Sequence, residues 1–205
     1  MKERNRTLSE KKIEQNINFF DHWAKTYDKN LFQFWMRRFY RPALKIIDGG
    51  KILDVSCGTG EFLRELAKKK KNLIYGIDLS PQMIAQARQK LGRQINLQKA
   101  DVHILPFPEN SFDYVVSTES FHHYYNQYKA LAEMKRVAKK GGKVIVVDIN
   151  FFLPPIHWLF EMLEPGCVKI NSRKEIKNIF QKLGLGDIVQ RRSFIFSVLT
   201  MGVKK

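Results

Sequence analysis

Three aspartates close three successive apolar segments that predict β-strands: Asp54, Asp78 and Asp101. In an open α/β sheet, ligands bind at the carboxyl ends of the strands, where such side chains meet. Asp78 stands near the roughly 20-residue spacing at which a carboxylate accepts both hydroxyl hydrogens of a ribose. Asp101 precedes Val102, so it can accept the amine of an adenine while Val102 packs on the ring. Asp54 suits a cationic amino-acid group, and the three residues together predict a nucleoside site. The alternative, an ordinary cap or turn residue at each position, requires three coincidences.

A tight turn of small residues follows the first strand and precedes a helix. It reads Ser56-Cys57-Gly58-Thr59-Gly60. Glycine is required where the backbone turns sharply or lets a ligand approach closely. A G-x-G pair by itself more often marks a structural turn, so the prediction of a ligand site depends on the aspartates around it.

The elements that must position these residues alternate between strand and helix. Strands are predicted over 51–55, 73–77, 95–100, 112–117 and 143–149, and helices over 17–28, 31–47, 61–70, 81–91, 127–138 and 173–183. This alternation argues for a parallel sheet. The segments 187–192 and 195–203 leave almost no room for a helix between them, so they must form a hairpin that makes one edge strand antiparallel. Gly141-Gly142 is expected to stop the helix before the fifth strand, and residues 151–170 to form a lid or an irregular crossover.

The composition suits one compact domain with a full core, since 44% of the 205 residues are hydrophobic. We divide the chain into an N-terminal helical cap, residues 1–48, and a ligand-binding domain, residues 49–205. No apolar run reaches the roughly 20 residues that cross a bilayer, and the charged N-terminus lacks a signal core, so a cytoplasmic protein is expected. Cys57 and Cys167 have no partner at metal-ligand spacing, so neither a disulfide framework nor a zinc site is expected.

The net charge is +16, from 36 Lys and Arg against 20 Asp and Glu. Such a balance indicates nucleic acid or an anionic membrane as a partner. The basic residues are nevertheless spread along the chain, and many stand at helix ends, where cations are favourable. We therefore favour the interpretation of a lysine-rich surface without a polyanionic partner.

The motifs resemble those of the class I S-adenosylmethionine (SAM)-dependent methyltransferases, in the small-molecule group that includes quinone-biosynthesis enzymes. The matching segments are Ile52–Gly60, Gly76–Ser80, Ala100–Val102 with Leu105-Pro106-Phe107, Ser111–Val116, Gly141-Gly142-Lys143 and, upstream, Phe20-Asp21 with Ala24 and Tyr27-Asp28. The resemblance covers roughly residues 19–150. It implies a single doubly wound, Rossmann-like α/β domain whose mostly parallel sheet has seven strands and an antiparallel C-terminal hairpin strand. It also implies SAM as methyl donor, S-adenosylhomocysteine as product and a small-molecule acceptor, while the acceptor's identity and the oligomeric state stay open.

The family's pattern implies the cofactor contacts residue by residue. Asp54, Gly58, Thr59 and Gly60 would surround the methionine part, Asp78 would bind the ribose, and Leu79, Asp101 and Val102 would hold the adenine. Thr118 would line the path to the sulfonium, and Tyr27 would close over the cofactor from the N-terminal helix. Ser56 departs from the family, which usually has glycine there, and we expect a modest change in the turn.

Methyl transfer from a sulfonium is an in-line displacement, and it needs a base only if the acceptor must lose a proton. His122 and His123 follow the fourth strand near the expected methyl position, and histidine titrates near neutral pH. We favour a structural or substrate-shaping role for both, and choose His123 if one of them is catalytic. An apolar acceptor pocket is expected from Tyr124, Tyr125, Phe151, Phe152, Trp158 and Phe160, with core packing as the equal alternative. The segment 151–163 could also lie against a membrane surface.

Three other functions are alternatives to this one. An NAD-dependent oxidoreductase requires a third glycine where this chain has Leu63. An RNA or other nucleic-acid methyltransferase is suggested by the charge, but Ser117–Ser120 replaces the Asn/Asp-Pro-Pro-aromatic motif of amino-group methylases of bases, and Cys167 follows Gly166 rather than proline. A non-catalytic SAM-binding protein would share every motif with the enzyme.

Overall fold

The computed structural model describes residues 8–29, 37–69, 71–151, 153–164 and 166–205. Its strands are β1 (Gly50–Val55), β2 (Asn72–Asp78), β3 (Asn96–Lys99), β4 (Phe112–Thr118), β5 (Ala138–Ile149), β6 (Leu185–Phe194) and β7 (Ser197–Lys204). They form one sheet in the order β3-β2-β1-β4-β5-β7-β6. The pairs from β3 through β5 are parallel, and β7 is antiparallel to both β5 and β6. The predicted mostly parallel sheet of seven strands with a terminal hairpin is confirmed.

Seven α-helices lie within the described residues. They are α1 (Leu8–Trp23), α2 (Arg41–Ile46), α3 (Glu61–Ala67), α4 (Pro81–Leu91), α5 (Gln127–Val137), α6 (Pro154–Leu163) and α7 (Arg173–Lys182). The helix expected over 31–47 falls partly outside the described residues. Short 3-10 turns at Tyr27–Lys29 and Phe121–His123 carry residues of the candidate site.

Helices cover both faces of the sheet, because the side chains of each buried strand alternate between the two faces. Ile52 points to the face covered by α2, α3 and α4. Leu53 and Val55 point to the opposite face, covered by α5 and α7. Asp54 is two residues after Ile52 and therefore points to the same face of the sheet. The first strand thus places a carboxyl group in an otherwise apolar layer.

The helix before the fifth strand ends differently from the prediction. α5 ends at Val137, and Ala138 already pairs with Phe112. The register between β4 and β5 then shifts, since Tyr114 pairs with Lys143. Gly141, with φ +75°, and Gly142 therefore do not stop the helix but lie in an irregularity inside the strand.

The segment predicted as a lid or irregular crossover contains a regular helix. α6 begins after Leu153, with prolines in its first turn, and ends at Leu163. Its apolar side chains are largely exposed, Trp158 by 64%. None of the helices in the described ranges is long and apolar enough to cross a bilayer. The membrane-surface contact and the cytoplasmic location stay predictions.

Candidate active site

A cavity opens at the carboxyl ends of the parallel strands, near the point where the strand order reverses between β1 and β4. It holds about 1080 Å³ of empty space, including the part open to solvent. Nine of the eleven predicted site residues line it: Tyr27, Gly58, Thr59, Asp78, Leu79, Asp101, Val102, Thr118 and His123. The fold thus brings together residues from the loops after four strands and from the N-terminal segment.

The turn after β1 shapes one wall of the cavity. Gly58, with φ +53°, has no heavy atom within 4 Å of where a Cβ would stand, and its N–H donates to Asp78 Oδ2 at 2.8 Å. Gly60 does not line the cavity. A Cβ there would lie 2.5 Å from Leu91 Cδ1, so this glycine lets α3 and α4 approach each other. Ser56, at the family's glycine position, adopts φ +66°.

Asp78 occupies the position at the end of β2 that the sequence assigned to a ribose. Besides Gly58, the backbone N–H of Ser80 donates to its carboxylate at 2.9 Å. Burial raises the pKa of Asp78 from its usual 3.8 to about 6, although these backbone donors oppose the shift. Each carboxylate oxygen keeps acceptor capacity for a further donor. Ser80 itself caps α4 by accepting from the Met83 N–H at 3.0 Å, as predicted.

Asp101 belongs to a small polar network that the sequence did not reveal. His103 Nε2 accepts the Asn126 N–H at 3.3 Å, so its Nδ1 carries the proton and donates to Asp101 Oδ1 at 2.6 Å. The Tyr125 hydroxyl donates to Asp101 Oδ2 at 3.3 Å. The Tyr125 ring also stacks on the His103 ring, with ring centroids 3.6 Å apart. Burial raises the pKa of Asp101, but the His103 donors outweigh it and hold the pKa below its usual value. Asp101 is therefore a fixed, ionised acceptor at the cavity wall.

Two further carboxyl groups are buried without hydrogen-bond partners among the described residues. Both oxygens of Asp54 and the Oε1 of Glu119 are in this state. Asp54 is completely buried and does not line the cavity, whereas Glu119 does. Burial, with the nearby Asp78 carboxylate, raises the pKa of Asp54 well above its usual value. Burial and Asp148 do the same for the pKa of Glu119. Such groups are costly unless a donor or a cation meets them.

The N-terminal segment covers the mouth of the cavity. Thr59 Oγ1 donates to Asp28 Oδ1 at 2.7 Å, and Lys90 Nζ bridges Asp28 and Glu61 at 2.6 and 2.7 Å. The Ser80 hydroxyl donates to Asp21 of α1. Tyr27 follows α1 and lines the cavity. Polar contacts thus attach the helix to the sheet domain around the predicted cofactor residues.

The two histidines after β4 have different surroundings. His122 is 1% exposed, does not line the cavity, and donates from Nδ1 to Asp148 Oδ1 at 2.6 Å. Burial lowers the pKa of His122, but Asp148 and Glu164 outweigh it and raise the pKa to about 10. His123 lines the cavity, and burial and the neighbouring His122 hold its pKa well below the usual value. A neutral imidazole of low basicity favours the substrate-shaping role for His123, and its catalytic role stays a prediction.

The expected aromatic acceptor wall is largely wrong. Tyr124 and Tyr125 line the cavity, but Phe151 instead packs on Phe160 and Phe196, with ring centroids 4.9 and 5.5 Å apart. Trp158 is exposed, and Phe152 lies outside the described residues. Apolar walls come instead from α1, through Ile13, Ile17 and Phe20, and from Tyr40 and Phe62. The sequence missed them because nothing local shows which face of α1 covers the cavity.

Comparisons with known proteins agree with this geometry. The family described as a methyltransferase domain matches residues 53–146. A demethylmenaquinone methyltransferase of Bacillus cereus is 28% identical over 229 aligned residues, which cover 95% of this chain and 96% of that protein. The demethylmenaquinone methyltransferase of Staphylococcus epidermidis is also 28% identical, over 93% of this chain and 92% of its own length. The chain is thus similar over almost its whole length to enzymes described as methyltransferases.

Solved structures support the fold of this chain. A SAM-dependent methyltransferase from Thermotoga maritima superposes with a TM-score of 0.75 at 20% identity, over 92% of this chain and 99% of that one. A SAM-dependent methyltransferase from Aquifex aeolicus gives a TM-score of 0.69 at 22% identity, over 90% and 98% of the two chains. At such low identity the likeness concerns the fold alone.

The residues present around the cavity fit a SAM molecule. SAM carries a cationic sulfonium and an ammonium group, and Glu119, which lines the cavity, has a buried Oε1 without a hydrogen-bond donor among the described residues. Asp78 and Asp101 offer acceptors of the kind a ribose and an adenine amine require. Glu119 was missed as a site residue because its position after β4 carries no spacing signal. The backbone of Glu119 has φ +58°, and the direction of its side chain depends on this conformation, which the sequence does not show.

Proposed function

We propose that the cavity binds SAM and that the enzyme transfers its methyl group to a small, apolar acceptor. The observation that carries this proposal is that three acidic side chains, Asp78, Asp101 and Glu119, line one cavity together with apolar side chains of α1. A cationic nucleoside satisfies the first set of groups and an apolar acceptor the second. S-adenosylhomocysteine is the product expected from this reaction.

Each predicted residue then has a defined task in binding. Asp78 accepts the ribose hydroxyls, while Leu79 and Val102 pack on the adenine and Asp101 accepts its amine. Gly58 and Thr59 lie along the amino-acid part, as the turn's open side permits. The carboxyl groups of Asp54 and Glu119 favour the cationic groups, which in turn favour the ionised form of those carboxyl groups. Thr118 lies on the path to the sulfonium, and Tyr27 closes the entrance.

The chain's own contribution to the reaction is positioning. When bound, SAM would supply a methyl group on a positively charged sulfur, and in-line attack on the methyl carbon would release that sulfur as the neutral thioether of S-adenosylhomocysteine. The cavity wall from α1 holds the acceptor in line with the methyl group and keeps water out. Oriented binding of this kind accelerates a displacement. His123, beside Phe20 with ring centroids 5.1 Å apart, shapes the acceptor side of the cavity. An acceptor that carries hydrogen on the attacked atom, as a quinol does, releases one proton to solvent or to a base for each methyl group that it gains.

The acceptor is proposed to be an apolar aromatic ring of the quinol type. The side chains of Ile13, Ile17 and Phe20 line the cavity, and they favour a hydrophobic molecule over a polar one. The relatives from Bacillus cereus and Staphylococcus epidermidis are described as demethylmenaquinone methyltransferases and match almost the whole chain. Both observations point to the same chemical class of acceptor.

Transfer of a labelled methyl group tests the proposed acceptor. The enzyme is incubated with radiolabelled SAM and cell extract, which is then separated into apolar, aqueous and nucleic-acid fractions. We expect label in the apolar fraction, unchanged by ribonuclease treatment. Label that ribonuclease releases from high-molecular-weight material would instead establish a nucleic-acid acceptor, and binding of SAM without any transfer would establish a non-catalytic protein.

Replacing Asp78 by alanine tests the cofactor part of the proposal. Loss of a charge-assisted hydrogen bond, about 1.5–3 kcal/mol, should weaken SAM binding by at least about tenfold. Isothermal titration of the purified protein measures the dissociation constant, and circular dichroism checks that the variant is folded. An unchanged dissociation constant in the folded variant would remove Asp78 from the ribose site.

A further inference from the structure

A second cluster of ligand-type side chains lies at the edge of the cavity. It consists of His122 and His123, in the turn after β4, and Glu164, directly after α6. One nitrogen of each imidazole and one carboxylate oxygen lie within 4.8 Å of one another. Glu164 follows His122 by 42 positions in the chain, a separation that gives no ligand spacing to detect, which explains why the sequence predicted no metal site.

Neighbouring groups hold both imidazole rings with the same nitrogen directed at the glutamate. His122 Nδ1 donates to Asp148 Oδ1 at 2.6 Å, and His123 Nδ1 donates to the Gly166 carbonyl oxygen at 3.0 Å. Both hydrogen bonds leave Nε2 as the ring atom that faces Glu164. A carboxylate or a backbone carbonyl on the distal nitrogen is the usual support of a metal-binding histidine, because it fixes the ring and its tautomer.

The atoms that face one another are not satisfied by hydrogen bonds. His122 Nε2 and Glu164 Oε2 are buried and have no hydrogen-bond partner among the described residues, although they lie 3.4 Å apart. His123 Nε2 lies 3.8 Å from Glu164 Oε1. Two ligand atoms bound at 2.0–2.2 Å to one tetrahedral metal ion are about 3.4 Å apart. The separation of His122 Nε2 from Glu164 Oε2 therefore matches that of two ligands around a shared ion, and His123 Nε2 would have to move a few tenths of an ångström closer.

We propose that His122, His123 and Glu164 bind one divalent transition-metal ion, of which Zn²⁺ is the type. Two imidazole nitrogens and a carboxylate oxygen suit zinc and similar ions better than magnesium or calcium, which prefer oxygen ligands only. Three protein ligands leave a coordination position open, as in zinc sites that also bind water or a substrate. His123 belongs both to this cluster and to the cavity wall, so the ion would stand beside the acceptor side of the cavity. The inference does not depend on which molecule the cavity binds.

Metal binding by the full-length chain tests the proposal directly. Protein stripped with a chelator is titrated with Zn²⁺ by calorimetry, and the bound metal is counted by mass spectrometry after dialysis. We expect one equivalent in the wild type. Glu164→Gln and His123→Ala should each weaken the affinity by more than about tenfold, since even outer-shell changes cost 10- to 100-fold. His22→Ala, an exposed histidine of α1, is the matched control and should bind as the wild type does.

Cobalt substitution supplies a readout that a purely structural role of these residues would not change. Co²⁺ in a four-coordinate site with two nitrogen ligands gives intense visible d–d bands, which Glu164→Gln should alter and His22→Ala should not. Circular dichroism and thermal melts establish that each variant is folded before its affinity is compared. Absence of stoichiometric binding, which would leave an ion pair of His122 and Glu164 as the sole occupant, overturns the proposal. Binding equally tight in Glu164→Gln and His123→Ala overturns it too.

Discussion

Asp54 lies behind the wall of the cavity, in an environment that is costly for a carboxyl group. Its carboxyl group is fully buried, has no hydrogen-bond partner among the described residues, and lies near the carboxylate of Asp78. A buried carboxyl group in this state is costly, and proteins retain such groups mainly where function uses them. The raised pKa values of Asp54, Asp78 and Glu119 thus describe a site that a cation would complete.

The pKa of Asp78 predicts how SAM affinity depends on pH. Ionised Asp78 accepts both ribose hydroxyls, whereas the protonated carboxyl group loses acceptor capacity, so affinity should fall as pH drops through about 6. The dissociation constant should be flat above about pH 7 and about tenfold higher at about pH 5, as for a single titrating group. Calorimetry across this range measures it. Asp78→Asn is the control, and an equal pH dependence in that variant would assign the effect to another group.

Ser56 stands in a backbone conformation that favours glycine. Its φ is +66°, while its hydroxyl lies 3.0 Å from that of Tyr124. Ser56→Ala and Ser56→Gly both remove the hydroxyl, so only the backbone preference separates the two variants. We expect the glycine variant to be more stable than the alanine variant by about 1 kcal/mol, since a left-handed residue with a Cβ is strained. Urea unfolding measures the difference, and equal stabilities would show that the turn relaxes.

At the scale of elements, α1 completes a cavity that the sheet opens. It supplies apolar wall residues and contacts the start of α4, while Asp28, beyond its end, contacts the turn after β1. The division into a cap at 1–48 and a domain at 49–205 stays a prediction. A helix held mainly by such contacts should open more easily than the central strands.

Asp21→Ala should loosen α1 selectively. The Ser80 hydroxyl would lose its acceptor on α1 but could still accept the Met83 N–H, so the cap of α4 would remain. We expect hydrogen exchange of the α1 amides to accelerate roughly tenfold, given about 1.5 kcal/mol for a hydrogen bond to a charged group. Mass spectrometry resolves α1 from β1, whose exchange should not change. Asn18→Ala, on the exposed side of α1, is the control, and equal effects of the two variants would contradict the role of Asp21.

At the scale of the whole molecule, basic charge and an exposed apolar surface occur together. Leu153, Trp158 and Leu163 are more than half exposed on or beside α6. Phe196, at the tip of the β6–β7 hairpin, extends this surface by packing on Phe151. The net charge of +16 favours anionic lipid, and exposed apolar patches of this kind mark interaction sites.

Vesicle cosedimentation tests whether this surface contacts a membrane. We expect binding to anionic vesicles that weakens with salt, and little binding to zwitterionic ones, because charge attracts the protein and apolar side chains then insert. Trp158→Ser should reduce binding about tenfold, since a large apolar side chain is worth about 1.5–3 kcal/mol on burial. Tyr128→Ser, an exposed aromatic on α5, is the control. Equal binding to both vesicle types would show that the net positive charge does not attract the protein to anionic lipid.

Local sequence determined most of the elements, though not α6, and the acidic tips of the strands, because periodicity, small-residue turns and covalent spacing act over short stretches of chain. Asp78, Asp101 and the turn at Ser56–Gly60 were found in this way, as was the terminal hairpin. Only the tertiary structure decided which face of α1 covers the cavity, that Asp54 is buried behind its wall, and that His122 and Glu164 meet across 42 residues. Such contacts depend on how whole elements pack against one another, and no short stretch of sequence encodes their direction.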